Sequence, residues 1–290
     1  MRGKGWIPLF LLPAVLLFLF VFAVPLGIVF FTSTFDYRIF PDRFNFIGVE
    51  HFVQLFTKDR AFRQALVNTV IWIVLHCTLH VGLGVLLAMM LYKKPRGWKF
   101  VRVTYMIPSI IANAAIAMIF INIYNPQFGV LNSILDKLGQ AHLTRNWLFE
   151  KGTSFASVTT IWTIFAGYTT VLVLAQALSV DEAIIEAARV DGASAIQTDW
   201  FIMLPLVKRM VGTTMVMAAT YMLQMFDLIF LTTKGGPGTA TMNLPLLLYR
   251  TAMAENNYGY ANAVGVVIIV LGMLSMGIIN KALRVNATDD

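Results

Sequence analysis

The sequence predicts an all-α protein that crosses a membrane six times. Hydrophobic residues make up 58% of its 290 residues and charged residues only 13%, against about 25% charged residues in ordinary soluble domains. The charges are also unevenly distributed, because they leave six long runs without any charged residue. A transmembrane β-barrel would instead show alternating segments of about ten residues. Composition and charge distribution together favour a bundle of transmembrane helices.

The positions of the charge-free runs predict where the helices lie. A spanning helix needs about 20 mostly apolar residues. We predict spans near residues 9–32, 66–92, 103–124, 155–178, 210–231 and 260–280. The fifth span continues through Asp227, because the apolar residues 228–231 follow it. A further run, 235–249, is short and broken by Gly and Pro, so we expect a loop there.

The first span is expected to remain in the protein rather than to be removed as a secretory signal. Arg2 and Lys4 resemble the basic start of a signal, but the apolar run from Ile7 to Phe31 exceeds the roughly 7–15 residues of a signal core. Six spans place both termini on one side. Of the 22 Lys and Arg residues, 12 fall in the 59 residues on that side and 10 in the 87 residues on the other. This bias predicts cytoplasmic termini.

Composition also excludes several other classes of protein. A net charge of +7 could indicate nucleic acid, but basic residues in so apolar a chain typically flank membrane spans. We therefore expect a lipid bilayer, and no nucleic acid, as partner. The single cysteine, Cys77, excludes a disulfide scaffold. The sequence contains no Walker A motif, so we do not expect this chain to hydrolyse ATP by that route.

The inside loop between the predicted fourth and fifth spans carries the local signals of two short helices. Ser179, with Glu182 three residues later, forms a capping box that predicts a helix start. Gly192 is placed to end this helix, and Ser194 with Gln197 predicts the start of a second one. Two such helices would form a knob on the cytoplasmic side. An amphipathic loop lying on the bilayer is equally compatible with these residues alone.

The same loop contains a longer pattern, which runs Glu186-Ala187-Ala188, three residues, Gly192, nine residues, Ile202, one residue, Leu204-Pro205. This pattern resembles the EAA loop of binding-protein-dependent ABC importer permeases. The resemblance implies a type I importer fold, with one permease domain over residues 1–290 and a coupling loop over 179–205. In this comparison Glu186 supplies a charged contact, the two alanines allow close approach of an ATPase, and Gly192 forms the turn. The coupling residues implied are Glu186, Ala187, Ala188, Asp191 and Gly192.

A second resemblance lies after the predicted fifth span. There the sequence reads Thr233-Lys234-Gly235-Gly236-Pro237, then Ala240-Thr241, then Tyr258-Gly259-Tyr260-Ala261. This segment is similar to MalF-like carbohydrate permeases, as is Tyr124-Asn125-Pro126 with the residues 128–132 that follow. Plain Gly/Pro turns are the alternative for both segments. The maltose permease has extra N-terminal spans and a large outside domain, so this chain is closer to the compact six-span members.

The resemblance implies that the chain works with partners in a bacterial-type inner membrane. A second, MalG-like permease would complete the pathway, and an extracytoplasmic sugar-binding protein would deliver the solute. Two ATPase subunits would dock on the coupling loop and use ATP and Mg, while this chain itself would bind no cofactor. Movement of the ATPase pair would then produce alternating access through the docked loop.

The resemblance to the maltose permease also implies a sugar pathway along the spans on either side of the EAA loop. It assigns to this pathway Tyr168 and, on the next span, Ala218, Tyr221, Met222 and Met225. Tyr168 and Tyr221 suit stacking on a sugar face, although tyrosines at the interface or in helix packing are equally compatible. Met222 and Met225 replace polar residues of the family, which favours helix packing for them.

A few further polar residues within the spans are candidates for function. Asp227 is acidic and lies in a predicted span, where carboxylates usually face a cavity or a partner. Gln224 lies about one turn before it, so both are candidates for the pathway. A hydrated position near the outer boundary is the alternative for Asp227. His76 and His80 have a spacing that can bind metal, but nothing else supports a metal site, and hydrogen bonding between helices is favoured.

The main alternative function is a secondary transporter for a small solute. It would need no ATPase and would typically show paired broken helices or several intramembrane charges. One carboxylate near the end of a span gives this alternative little support. An integral-membrane enzyme is the third class, but no cluster of His and carboxylates marks a catalytic site. We therefore predict a transport subunit without catalytic residues.

Overall fold

The computed structural model describes residues 7–283, so Arg2, Lys4 and most of the predicted cytoplasmic ends lie outside the described residues. The helices in chain order are α1 (Ile7–Phe18), α2 (Val24–Thr32), α3 (Glu50–Thr57), α4 (Arg60–Leu75), α5 (Val81–Leu91), α6 (Trp98–Met106), α7 (Asn113–Ile123), α8 (Val130–Lys137), α9 (Ser154–Thr163), α10 (Gly167–Leu178), α11 (Glu182–Val190), α12 (Ala195–Thr198), α13 (Leu204–Leu206), α14 (Lys208–Gln224), α15 (Asp227–Thr232), α16 (Leu244–Tyr249) and α17 (Tyr258–Leu283). The strands are β1 (Phe35–Arg38) and β2 (Arg43–Phe46). Turns of π-helix lie at Leu19–Ala23, His76–His80, Asp199–Met203 and Arg250–Ala254, and turns of 3₁₀-helix at Ile107–Ile110 and Ala141–Leu143.

The described helices account for the predicted number of spans. Four are long and apolar enough to cross a membrane: Phe10–Thr32, Arg60–Leu91, Ser154–Leu178 and Tyr258–Leu283. Two bent pairs pass the same test when taken together: Trp98–Ile110 with Asn113–Ile123, and Ala195–Leu206 with Lys208–Gln224. Counting each bent pair as one span gives the predicted six, which we number in chain order. The first half of the pair counted as the fifth span, Ala195–Leu206, overlaps the predicted coupling loop 179–205, so below the term fifth span means α14 (Lys208–Gln224).

The third span is broken, whereas the sequence predicted one helix over residues 103–124. Its two halves meet at an angle of 97°. The first half ends in a 3₁₀ turn that contains Pro108, and Ile111 then has an extended backbone with ψ of 135°. Proline has no amide donor and interrupts the helical hydrogen bonds. The charge-free run predicted the position of this span but not its bend.

The fifth predicted helix also differs from the structure, because α14 ends at Gln224 and α15 starts at Asp227. Met225 lies between them with an extended backbone (φ −67°, ψ 102°). Its carbonyl oxygen accepts a buried hydrogen bond of 2.5 Å from Asn243 Nδ2. Asp227 lies in the first turn of α15, where a carboxylate interacts favourably with the helix dipole. The predicted continuous helix through Asp227 was therefore wrong.

The segment 235–249 is not the plain loop that the sequence predicted, because its last residues form α16. Asn68 on the second span donates hydrogen bonds to the carbonyl oxygens of Met242 (2.8 Å) and Ala240 (3.0 Å). The amide of Leu244 donates to Thr69 Oγ1 at 3.0 Å. Buried polar side chains of the second span therefore satisfy the backbone of this segment and hold it in place.

The first of two compact units comprises the described residues up to Arg63 together with Leu247–Val270. Its two strands pair antiparallel, with Phe35 opposite Phe46. His51 Nε2 donates to the carbonyl oxygen of Phe35 at 3.1 Å. A Cβ atom on Gly259 would lie only 2.0 Å from that same oxygen. This contact explains why a glycine stands between the two tyrosines at the start of the sixth span.

The second unit comprises Gln64–Leu246 and the described residues from Leu271 onward. In its core, the second and fourth spans pack together with the loop that follows the fourth span. The buried members of this cluster are Ala88, Leu91, Val173, Leu174, Ala177, Ile185, Met203 and Val207. Because Ile185 and Met203 belong to that loop, the ends of the spans fix its position.

Candidate coupling loop and solute cavity

The first helix of the coupling loop starts later than the sequence predicted. Its N-cap is Asp181, whose carboxylate accepts a hydrogen bond of 3.0 Å from the amide of Ala183. Ser179 instead ends α10, and its hydroxyl donates to the carbonyl oxygen of Gln176 at 2.8 Å. The predicted capping box at Ser179 was therefore wrong, because the fourth span continues up to this residue. Aspartate is also a preferred N-cap residue, so Asp181 takes that role.

The turn between the two short helices follows the prediction. Gly192 has φ of +83°, a conformation that is easy for glycine and strained for other residues. The amide of Ala193 donates to the carbonyl oxygen of Ala188 at 2.9 Å, as in a Schellman motif. Ser194 and Gln197 then form a reciprocal capping box that starts α12. The predicted helix end and the predicted second helix start are both confirmed.

The five predicted coupling residues do not share one environment. Glu186, Ala187, Asp191 and Gly192 are exposed, whereas Ala188 is only 7% exposed. The chain itself covers Ala188, so the small side chain at this position serves packing of the loop. Of the two alanines, Ala187 is the one that another protein surface can contact.

A polar contact that the sequence did not predict ties the coupling loop to the segment after the second span. The Tyr92 hydroxyl donates to one carboxylate oxygen of Asp199, and Lys93 Nζ lies 2.5 Å from the other oxygen. Burial raises the pKa of Tyr92, and the Asp199 carboxylate raises it further, so the phenol stays protonated and remains a donor. We call Tyr92, Lys93 and Asp199 the polar latch. No local sequence signal links residues so far apart in the chain.

The coupling loop exposes large apolar side chains as well as carboxylates. Val190 is 87% exposed, Phe201 77% and Trp200 59%. Glu186 and Asp191 are exposed on the same loop. All of these exposed residues belong to the loop that the resemblance implies as the contact with an ATPase.

A cavity of about 330 Å³ lies among the second, third, fourth and fifth spans of the second unit. Tyr168 and Tyr221 both line it, together with Asn113 from the start of α7. The Tyr221 hydroxyl donates to Asn113 Oδ1 at 3.0 Å. The Tyr168 hydroxyl lies 3.8 Å from Met217 Sδ, and this tyrosine is 43% exposed. The structure therefore brings the two predicted tyrosines to one cavity.

The other predicted pathway residues divide into two groups. Ala218 lines the cavity, but Met222, Gln224, Met225 and Asp227 do not. Met222 and Met225 are 1% and 2% exposed, so they are packed inside the chain, as the sequence favoured. Gln224 and Asp227 are exposed, on either side of the break between α14 and α15.

Two histidines that the sequence did not assign to the pathway also line the cavity. His76 and His80 occupy the π-helical turn of the second span, a feature often found at functional sites. His80 Nδ1 donates to the carbonyl oxygen of Trp162 on the fourth span at 3.2 Å, which is the predicted bond between helices. The signal that could have identified them is their position in an otherwise apolar span. Among residues 7–283, no group of three or more His, Cys, Asp or Glu could hold a metal ion.

Comparisons with known proteins give consistent results. The family described as "Binding-protein-dependent transport system inner membrane component" matches residues 80–284. The probable ABC transporter permease protein YurN of Bacillus subtilis is 36% identical, over 91% of this chain and 90% of its own. The multiple sugar-binding transport system permease protein MsmF of Streptococcus mutans is 31% identical, over 80% of each chain. A crystal structure of a bacterial ABC transporter involved in the import of the acidic polysaccharide alginate is similar in fold, with a TM-score of 0.82 and 24% identity over 95% of this chain and 93% of that one.

Proposed function

The chain belongs to the family of binding-protein-dependent transport system inner membrane components, and from this premise we propose that it is a permease subunit of an ATP-driven sugar importer. In this proposal it forms half of the pathway, and a second, MalG-like permease forms the other half. Two ATPase subunits dock on its coupling loop and use ATP and Mg, and an extracytoplasmic sugar-binding protein delivers the solute. The chain acts as one permease domain with both termini in the cytoplasm.

The observation that carries this proposal is the attachment of the coupling loop to the spans. Ile185 and Met203 of the loop are 8% and 1% exposed, and they pack in one cluster with residues of the second and fourth spans. The polar latch adds a second attachment through Asp199. A displacement of the exposed side of the loop would therefore move both spans, and side chains of both spans line the cavity.

The carbohydrate part of the proposal rests on two observations. The Streptococcus mutans relative, 31% identical, is named as a permease for multiple sugars. In this chain, the cavity is lined by aromatic side chains that include Tyr168 and Tyr221. Such rings offer apolar faces to a sugar ring and hydroxyl groups for hydrogen bonds.

Secondary transport is the alternative that the broken spans could have favoured. Two of the spans are bent, and broken helices are common in secondary transporters. The fold is nevertheless similar, with a TM-score of 0.82, to that of a chain of a bacterial ABC transporter. Family membership therefore favours the ATP-driven mechanism.

The experiment that tests this function is uptake into proteoliposomes that contain defined components. The chain is purified with a candidate second permease and a candidate ATPase, and the binding protein is added from outside. We expect sugar uptake that requires ATP and all components. Uptake by this chain alone, driven by a proton or sodium gradient, would show that it is a secondary transporter. Transport by a stable complex of only this permease and an ATPase would contradict the second permease.

A further inference from the structure

Two buried polar atoms, on residues that line the cavity, have no hydrogen-bond partner among the described residues. They are His76 Nδ1 and Trp162 Nε1, on side chains that are each 4% exposed. The two ring centroids lie 4.8 Å apart, and both residues line the cavity. Buried polar groups are nearly always paired, because an unpaired one forfeits its hydration without compensation. Two such atoms beside one cavity therefore point to a group that binds there.

A second tryptophan shows that the chain can satisfy a buried indole when it has no ligand to hold. Trp72 lies on the same span as His76 and is 1% exposed. Its Nε1 donates to Thr159 Oγ1 at 2.8 Å. Trp162 is also buried and lies on the same span as Thr159, yet its Nε1 has no such partner. An unpaired donor is therefore not a general property of the buried indoles in this bundle.

The chemistry of the two atoms selects the group that fits them. An indole nitrogen can only donate a hydrogen bond, whereas the nitrogen of a neutral imidazole can accept one. A hydroxyl group both donates and accepts, so one hydroxyl can accept from Trp162 and donate to His76. A hydroxyl group can pair with His76 Nδ1 in either tautomer of the ring, whereas a carboxylate, which only accepts, can pair with it only when Nδ1 carries the proton.

The charge of the cavity leads to the same conclusion. None of the described residues that line it is Asp, Glu, Lys or Arg. An ionised solute in an apolar site needs a countercharge to replace its hydration, and the imidazoles of His76 and His80 are the only basic groups among the described residues of these walls. The cavity volume of about 330 Å³ lies within the range of ligand pockets, which is roughly 300–1,000 Å³.

We propose that this cavity binds an uncharged, polyhydroxylated solute, and that His76 and Trp162 together bind one of its hydroxyl groups. The proposal rests on the proposed sugar import and narrows its substrate class to neutral carbohydrates. His76 and Trp162 are then specificity-determining residues of the pathway, in addition to the two tyrosines.

The test compares two tryptophan variants of the complete membrane complex in lipid nanodiscs. Trp162→Phe and Trp72→Phe remove the same volume and the same indole nitrogen, but only Trp72 has a partner within the chain. Sugar binding is measured by saturation-transfer NMR with maltose, cellobiose and melibiose as neutral probes and digalacturonate as the acidic probe. The melting temperature of each complex is measured without sugar.

We expect at least one neutral disaccharide to bind and digalacturonate not to bind. Trp162→Phe should weaken the binding by roughly three- to tenfold, the effect of one neutral hydrogen bond, while Trp72→Phe leaves it unchanged. Without sugar, Trp72→Phe should lower the melting temperature more than Trp162→Phe does. His76→Leu should also weaken binding, and His76→Asn should restore part of it, because its amide places a polar atom near the position of Nδ1.

Four results would overturn the proposal: equal or tighter binding of digalacturonate, no binding of any neutral probe, unchanged affinity in Trp162→Phe, or an equal loss of melting temperature in both variants. The last result would mean that the Trp162 donor is already satisfied inside the protein. Failure of the sugar-import function is distinguishable, because the complete system would then transport no carbohydrate in an ATP-dependent way.

Discussion

Substitutions of Gly192 can show whether coupling depends on the backbone conformation of the turn or on close approach of the ATPase surface to it. Gly192 has φ of +83°, and no atom lies within 4 Å of the position that a Cβ would occupy. A side chain there would therefore meet open space in this chain, and the cost of Gly192→Ala is the backbone strain alone. That strain is about 1–2 kcal/mol for a residue in the left-handed region. It would lower the population ratio of the native turn to other conformations roughly 5- to 30-fold.

A series of substitutions distinguishes strain from a clash with the ATPase. Asparagine tolerates the left-handed conformation better than alanine does, although its side chain is larger. If the backbone of the turn controls coupling, activity should fall in the order Gly, Asn, Ala, Val. If the ATPase surface must approach the turn closely, Asn should be worse than Ala because it is bulkier.

The assays are the ATPase rate stimulated by the loaded binding protein and the amount of ATPase that copurifies with the permease. Gly139 is a matched control, since it has φ of +73° and equally open surroundings outside the coupling loop. Gly139→Ala should carry the same strain and leave both readouts unchanged. Two results would refute our reasoning about the backbone. One is a larger loss of ATPase rate or of copurified ATPase in Gly192→Asn than in Gly192→Ala. The other is a loss in Gly139→Ala as large as that in Gly192→Ala.

Three further predictions concern the latch, the first unit and the cavity. Asp199→Ala should lower sugar-stimulated ATPase activity and the melting temperature of the complex, because hydrogen bonds to a carboxylate contribute roughly 1.5–3 kcal/mol; Tyr92→Phe should have a smaller effect, and wild-type values for both would contradict the role of the latch. Burial lowers the pKa of His51, so below pH of about 6.5 the unfolded chain takes up a proton that the folded one does not. The melting temperature should therefore fall as the pH drops from 7.5 to 5.5, and His51→Gln, which keeps an amide donor for the strand, should reduce this slope; an unchanged slope would exclude His51 as its source. Tyr168→Ala should impair sugar uptake with the complex still assembled, while Asp227→Asn should have little effect because Asp227 is exposed and does not line the cavity; the reverse result would place the pathway elsewhere.

The sequence by itself determined the features that depend on local composition and on hydrogen bonds between near neighbours. Long charge-free runs predicted the spans, because only apolar helices of sufficient length are stable in a bilayer. The end of the first coupling helix at Gly192 and the capping box of Ser194 and Gln197 were also predictable. All partners of these bonds lie within a few residues of one another, so the pattern of residue types is sufficient to identify them.

Only the tertiary structure decided the features that depend on residues far apart in the chain. The helix predicted over residues 210–231 is interrupted at Met225, because Asn243 binds the carbonyl that the break leaves free. Asp199 is fixed by Tyr92 and Lys93, about a hundred residues earlier. Helix breaks and long-range polar contacts such as these form where a side chain far away in the sequence provides the hydrogen bond that a polar group would otherwise make within its own helix. A single sequence contains no local signal of that partner. The bends, the polar latch and the walls of the cavity could therefore not be predicted from the sequence and are seen only in the structure.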